Sequence, residues 1–96
     1  MIKGIKQNEE KIIIDILKNY PYDFYYYGSR VKGDYTKGSD LDILIKNDKE
    51  IPQKIIEEIN LKFNESIIPY KVNFSDFILI DTNFYNLIKN DLVKII

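Results

Sequence analysis

The chain has 96 residues, 45% of them hydrophobic and 30% charged, with a formal net charge of -1 and neither Cys nor His. This composition fits one small globular domain, 1–96, and argues against a disordered chain. It excludes disulfides, thiolate zinc sites, Cys nucleophiles and imidazole general bases, so any metal must be held by oxygen, which favours Mg²⁺ or Mn²⁺.

There is no block of basic residues, so strong direct binding to nucleic acid is not expected. The first residues lack the apolar core of a signal peptide and no apolar run approaches a membrane span. The expected location is the cytoplasm.

In chain order, Ile12, Ile13, Ile16 and Leu17 recur at helical spacing, and Asn8-Glu9-Glu10 places acid near the start. A helix is predicted over 7–19, ended by Pro21, which biases the residue before it away from the α region. The aromatic run 24–27 predicts a first strand, closed by Gly28-Ser29, where a short helical turn can begin. A second strand is predicted over 41–46. Strand alternation puts Leu41, Ile43 and Ile45 on one face and Asp40, Asp42 and Leu44 on the other. Pro52 suits the first turn of a second helix running to Phe63, with Ile51, Ile55, Ile59 and Phe63 as its apolar stripe. A third strand is predicted from Tyr70 to Phe74 or slightly further. Asp81-Thr82-Asn83 is a candidate cap for a short last helix carrying Phe84, Leu87 and Ile88. Residues 92–96 fit either an extension of that helix or an edge strand. The order predicts an α/β (α+β) domain: a small mixed β-sheet with helices packed on one face and the face bearing Asp40 and Asp42 left open.

Two features carry chemistry. Gly28 after a strand lets backbone amides approach an anion closely, and the Ser29 hydroxyl adds a donor. Asp40 and Asp42, at i and i+2 on one strand face, are placed to hold a divalent cation that neutralises phosphate charge. Each is weak alone, because Gly-Ser pairs are common in turns and acids are common on solvated strands. Together they are specific. Ten residues separate Ser29 from Asp40, and Asp40-Leu41-Asp42 runs on into alternating apolar residues.

The pattern Gly28-Ser29, ten residues, Asp40-Leu41-Asp42 resembles the DNA polymerase beta-like nucleotidyltransferase superfamily, and specifically its minimal nucleotidyltransferase (MNT) branch. Arg30, Gly33, Ser39 and Ile43 fit the usual surroundings, and the resemblance covers most of the chain. It implies the polymerase beta-like fold, with Gly28 and Ser29, assisted by Arg30 and Ser39, binding ATP or another nucleoside triphosphate. Asp40 and Asp42 are implied to hold Mg²⁺ while an acceptor oxygen attacks the α-phosphate. For Arg30 the residues leave two roles open, a phosphate contact or a brace for the turn. Lys32 and Lys37 could attract the triphosphate and Asp34 and Tyr35 could approach the nucleotide, but all four read better as ordinary loop residues, and Tyr25, Tyr26 and Tyr27 read better as a buried strand than as a base-stacking surface.

The family pattern includes a third carboxylate on a neighbouring strand, after a Pro-Tyr pair. Here Pro69-Tyr70 leads to Asn73 at that position, counted with Asp40 and Asp42 as the catalytic set. Asn offers a carbonyl ligand but carries no charge and cannot act as a base. Asp76 is nearby with the opposite strand parity, and would reach the site only through a bulge or an early strand end. Three readings stay open: a weakened nucleotide binder, an enzyme with a neutral third ligand, or recruitment of Asp76.

The resemblance also implies a partner. Domains of this class pair with a helical HEPN-type protein as antitoxin and toxin, and transfer AMP from ATP to a hydroxyl of that toxin. The alternative is an antitoxin that neutralises its partner by binding alone. Larger relatives carry extra domains to hold an acceptor, which makes transfer to a small molecule the weakest reading here.

Overall fold

The computed structural model describes residues 2–96. The elements are α1 (Gln7–Leu17), β1 (Asp23–Tyr27), α2 (Ser29–Lys32), β2 (Leu41–Lys46), α3 (Gln53–Asn64), β3 (Val72–Asp76), α4 (Thr82–Ile88) and β4 (Val93–Lys94), with a 3₁₀ turn at Lys89–Asp91 before the last strand. The sheet order is β3-β2-β1-β4. β1 pairs antiparallel with both β2 and β4, whereas β2 and β3 are parallel and joined through α3. The small mixed sheet expected from the sequence is therefore present.

α1 stops at Leu17, two residues short of the predicted end. The Asn19 side-chain amide donates to the carbonyls of Asp15 and Ile16 at 3.0 and 3.2 Å, satisfying acceptors left over at the helix end. Pro52 stands just before the first residue of α3, as its fixed φ and missing N–H favour. Asp81 caps α4, its Oδ1 accepting from the Phe84 amide at 2.7 Å. At the C-terminus the choice falls to an edge strand: Val93 and Lys94 pair with Tyr26 and Tyr25, and the Ile95 amide donates to the Phe24 carbonyl at 2.8 Å.

The third strand begins at Val72, two residues later than predicted. Its register matches Val72 with Leu41 and Asn73 with Asp42, so it starts where β2 starts. Tyr70 is a good strand former, but its ring lies over the Arg30 guanidinium and its hydroxyl donates to Glu9. Those tertiary contacts override its local preference.

Alternation sorts the side chains as expected on one face. Ile13, Leu17, Phe24, Tyr26, Leu41, Ile43, Ile45, Ile59 and Phe63 form the main core, between the sheet and helices α1 and α3. The opposite face carries the cross-strand row Tyr27–Asp42–Asn73 and, one pair further along, Tyr25–Leu44–Ser75. This second face is not wholly free. Leu44 is 0% exposed, covered together with Tyr27 by Ile88, Phe84 and Tyr85 of α4. An apolar side chain among carboxylates needs such cover, and burying a leucine stabilises by about 1.5–3 kcal/mol. The placement of helices on one face thus holds for α1 and α3, while α4 crosses to the other and leaves the Asp42 end open.

Candidate active site

The chain leaves β1 through Gly28, whose φ of 87° and ψ of -159° are readily adopted only by glycine. The turn is tight against β2. A Cβ at position 28 would collide with Asp42 Oδ2. The amides of Val31 and Lys32 fold back onto the Gly28 carbonyl at 3.1 Å each, forming the single turn of α2. Gly33 ends it with φ of 91° and donates to the Ser29 carbonyl at 2.9 Å. Gly28 and Ser29 are both half-buried at the same end of the sheet as the two carboxylates.

Asp40 is exposed just before β2 and Asp42 is half-buried within it. The parallel pairing of β2 and β3 sets Asn73 beside Asp42. Asn73 Nδ2 donates to Asp40 Oδ2 at 3.0 Å and to Asp42 Oδ1 at 3.3 Å. Burial pushes the Asp42 carboxyl above the usual carboxylate range, the Asn73 hydrogen bond pulls it back, and the Asp40 charge raises it again. The site therefore joins a glycine turn, two carboxylates and one neutral amide. Among the described residues no three acidic, His or Cys side chains gather as a metal-binding group. The donor set is all oxygen and carries two charges, which fits a hard divalent cation.

Residues 10–96 match the family model described as nucleotidyltransferase domain. The chain belongs to the nucleotidyltransferase domain family. It is 31% identical over 93 residues, 95% of its length, to the Probable protein adenylyltransferase MntA of Haemophilus influenzae (strain ATCC 51907 / DSM 11121 / KW20 / Rd), and the match covers 82% of that protein. Its fold superposes on the crystal structure of a toxin-antitoxin with AMP-PNP at a TM-score of 0.75 and 20% identity, covering 91% of this chain and 72% of that one. It also superposes on a protein provisionally assigned as a nucleotidyltransferase from Sulfolobus solfataricus, at a TM-score of 0.51 and 25% identity over 88% of this chain and 73% of the other.

Within this nucleotidyltransferase domain the two open roles of Arg30 resolve toward the brace. The side chain is 4% exposed. Its Nε and one terminal nitrogen donate to the Ser39 carbonyl at 3.1 and 2.8 Å, that same nitrogen also reaches the Lys37 carbonyl at 3.2 Å, and the other donates to the Gly4 carbonyl at 2.6 Å. Tyr70 covers the guanidinium, its ring centroid 3.9 Å from the central carbon. With four donor contacts on carbonyls, Arg30 ties the N-terminal segment and the 37–39 loop to α2. Ser39 also takes part in the loop's own hydrogen bonds. Its hydroxyl accepts from the Thr36 amide at 2.8 Å and lies 3.3 Å from the Thr36 hydroxyl, closing the loop on itself.

Asp76 lies away from the two carboxylates. It pairs with Ile45 on the core face, where Oδ2 accepts from the Ile51 amide at 2.7 Å and Oδ1 from the Ile78 amide at 2.9 Å. There is no bulge to turn it around, so parity decides.

Two neighbours were missed from sequence. The Tyr27 hydroxyl lies 2.8 Å from Ser75 Oγ, on the face that carries Asp42 and Asn73. Burial raises the Tyr27 pKa, Ser75 lowers it, and the Asp42 charge raises it further. The period-2 rule could have found both residues, since Tyr27 shares the parity of Tyr25 and Ser75 that of Asn73.

Proposed function

We propose that this domain is a nucleotidyltransferase that moves AMP from ATP onto a hydroxyl of a HEPN-type partner toxin, acting as its cytoplasmic antitoxin and assembling with it. The reading rests above all on the Gly28 turn packed against Asp42, because phosphate binding and cation binding must meet at one place for this chemistry. It is supported by the similarity to a protein named an adenylyltransferase and by the fold shared with a toxin-antitoxin bound to AMP-PNP. Among the described residues no helix is long and apolar enough to cross a membrane.

In this mechanism the Gly28 and Ser29 backbone and the Ser29 hydroxyl hold the terminal phosphates. Asp40 and Asp42 would hold Mg²⁺ or Mn²⁺, which would neutralise phosphate charge in the transition state. The acceptor oxygen forms a bond to the α-phosphorus as the bond to the β-phosphate oxygen breaks, and pyrophosphate leaves. The acceptor proton passes to solvent, because Asn73 has no basic oxygen to take it. What the chain contributes is positioning and charge rather than covalent catalysis.

Incubation with labelled ATP, Mg²⁺ and the product of the neighbouring reading frame tests this. Label should appear on that product and disappear with Asp40→Ala plus Asp42→Ala, while the complex persists. A second reading follows from Asn73 in the third position: the domain neutralises its partner by binding alone. A complex that forms and silences the partner without any label transfer would select it.

A further inference from the structure

We propose that the Asn73 amide occupies the place of a cation between Asp40 and Asp42, so that the divalent ion is not loaded alone but enters with the nucleotide. The inference rests on the reading that these two carboxylates are the metal ligands.

The geometry makes the amide and an ion alternatives. Asn73 Nδ2 reaches one oxygen of each carboxylate, at 3.0 Å on Asp40 and 3.3 Å on Asp42. An NH₂ group has two hydrogens, and each is used here on a charged acceptor. Between two carboxylates this is the only favourable orientation, because turning the amide would aim its own oxygen at two negative groups. The partial positive charge of the NH₂ offsets the repulsion between Asp40 and Asp42 that burial of Asp42 would otherwise sharpen. A cation seeking the same oxygens must break both hydrogen bonds. It gains no third negative charge in return, since position 73 is neutral.

A lone ion therefore exchanges its hydration shell for only two charged ligands. An ion already chelated by a triphosphate differs. It arrives partly dehydrated, with phosphate oxygens completing its shell and further negative charge beside it. Such an ion can displace the Asn73 amide from the two carboxylates. Asn73 is then a positioning residue that sets the order of loading.

Isothermal titration of Mn²⁺ alone into the wild-type chain, Asn73→Ala and Asn73→Asp tests this without any turnover. Removing the competing amide should make Asn73→Ala bind Mn²⁺ more tightly than wild type. Asn73→Asp, which adds a charged ligand, should bind roughly tenfold or more tightly. Weaker binding by Asn73→Ala than by wild type would overturn the proposal, because Asn73 would then be an ordinary carbonyl ligand. A second measurement needs no variant. The side-chain amide resonances of Asn73 should shift when Mg²⁺ is added with a non-hydrolysable nucleotide and stay in place with Mg²⁺ alone, and a shift with Mg²⁺ alone would also overturn it. Mn²⁺ binding that survives Asp40→Ala plus Asp42→Ala would instead sink the underlying metal reading. Failure to label a partner would leave the loading order untouched.

Discussion

The α-carbon of Gly28 lies directly against the carboxylate of Asp42, with no room for a methyl group between them. The first position of the turn and the acid of β2 are thus one packed unit. Gly28→Ala meets both a left-handed φ and a collision, and should cost roughly 2–4 kcal/mol of stability along with nucleotide binding. Gly33 has a similar φ of 91°, but a methyl group there would meet nothing within 4 Å. Gly33→Ala should therefore cost only about 1 kcal/mol, from backbone strain, and leave nucleotide affinity unchanged. Urea unfolding and nucleotide titration of the two variants separate the effects. Equal behaviour would show that contact with Asp42 is unimportant.

Arg30→Lys is expected to behave as a stability variant. A lysine cannot reproduce the fork that spans the carbonyls of Gly4, Lys37 and Ser39, nor the flat contact with Tyr70. The loss should be roughly 2–4 kcal/mol in unfolding free energy. Nucleotide affinity measured on the folded fraction should change little. A variant with wild-type melting behaviour and weak nucleotide binding would return Arg30 to the phosphate site.

Asp76→Ala removes the acceptor of the Ile51 and Ile78 amides, leaving both donors without their partner. About 2–3 kcal/mol of destabilisation follows. Metal binding should be unaffected, because the side chain lies on the core face. Loss of metal binding with stability preserved would place Asp76 in the site after all.

Alkaline pH should unfold the domain through the buried Tyr26 and the half-buried Tyr70. Burial raises Tyr26 and Tyr70 above the ordinary tyrosine value of 10.0, and their hydrogen-bonded partners Glu10 and Glu9 raise them further. The folded chain holds these protons more tightly than the unfolded chain. Their contribution to stability is complete below the unfolded value and is lost as pH rises above it toward the folded values. Tyrosinate absorbance followed with circular dichroism should show these two ionising together with unfolding. Tyrosinate forming at Tyr26 and Tyr70 while the fold stays intact would contradict the burial.

Asn73→Asp restores a charge beside Asp42 and should raise transfer of label to the partner in the presence of ATP and Mg²⁺. The same change should lower stability without metal, since three carboxylates would face one another and the bridging donor would be gone. Unchanged transfer with the true acceptor would mean that position 73 does not limit the reaction.

Much of this was legible in the chain. Leu41 to Lys46 was readable to the residue because alternation holds there at every position but Leu44, and only one register hides Leu41, Ile43 and Ile45 together. The same parity put Asp40 and Asp42 together and kept Asp76 away. What the sequence concealed depends on long-range contacts. Tyr70 reads as strand until Arg30, far away in the chain, is known to lie beneath its ring. The donors of Arg30 could not be assigned because their partners are backbone carbonyls, which every residue has. Leu44 was the one available hint that a helix covers the second face, being the apolar member of an otherwise acidic row.

That cover sets the direction from which anything can arrive. With α4 over Leu44 and Tyr27, the carboxylates stand at the rim of the sheet and Asp40 is exposed just before β2. On the proposed transfer reaction, an incoming hydroxyl would come in past the strand ends, alongside the Gly28 turn, instead of descending onto the middle of the sheet. A projecting side chain on a convex partner can make that approach, whereas a group recessed in a groove cannot.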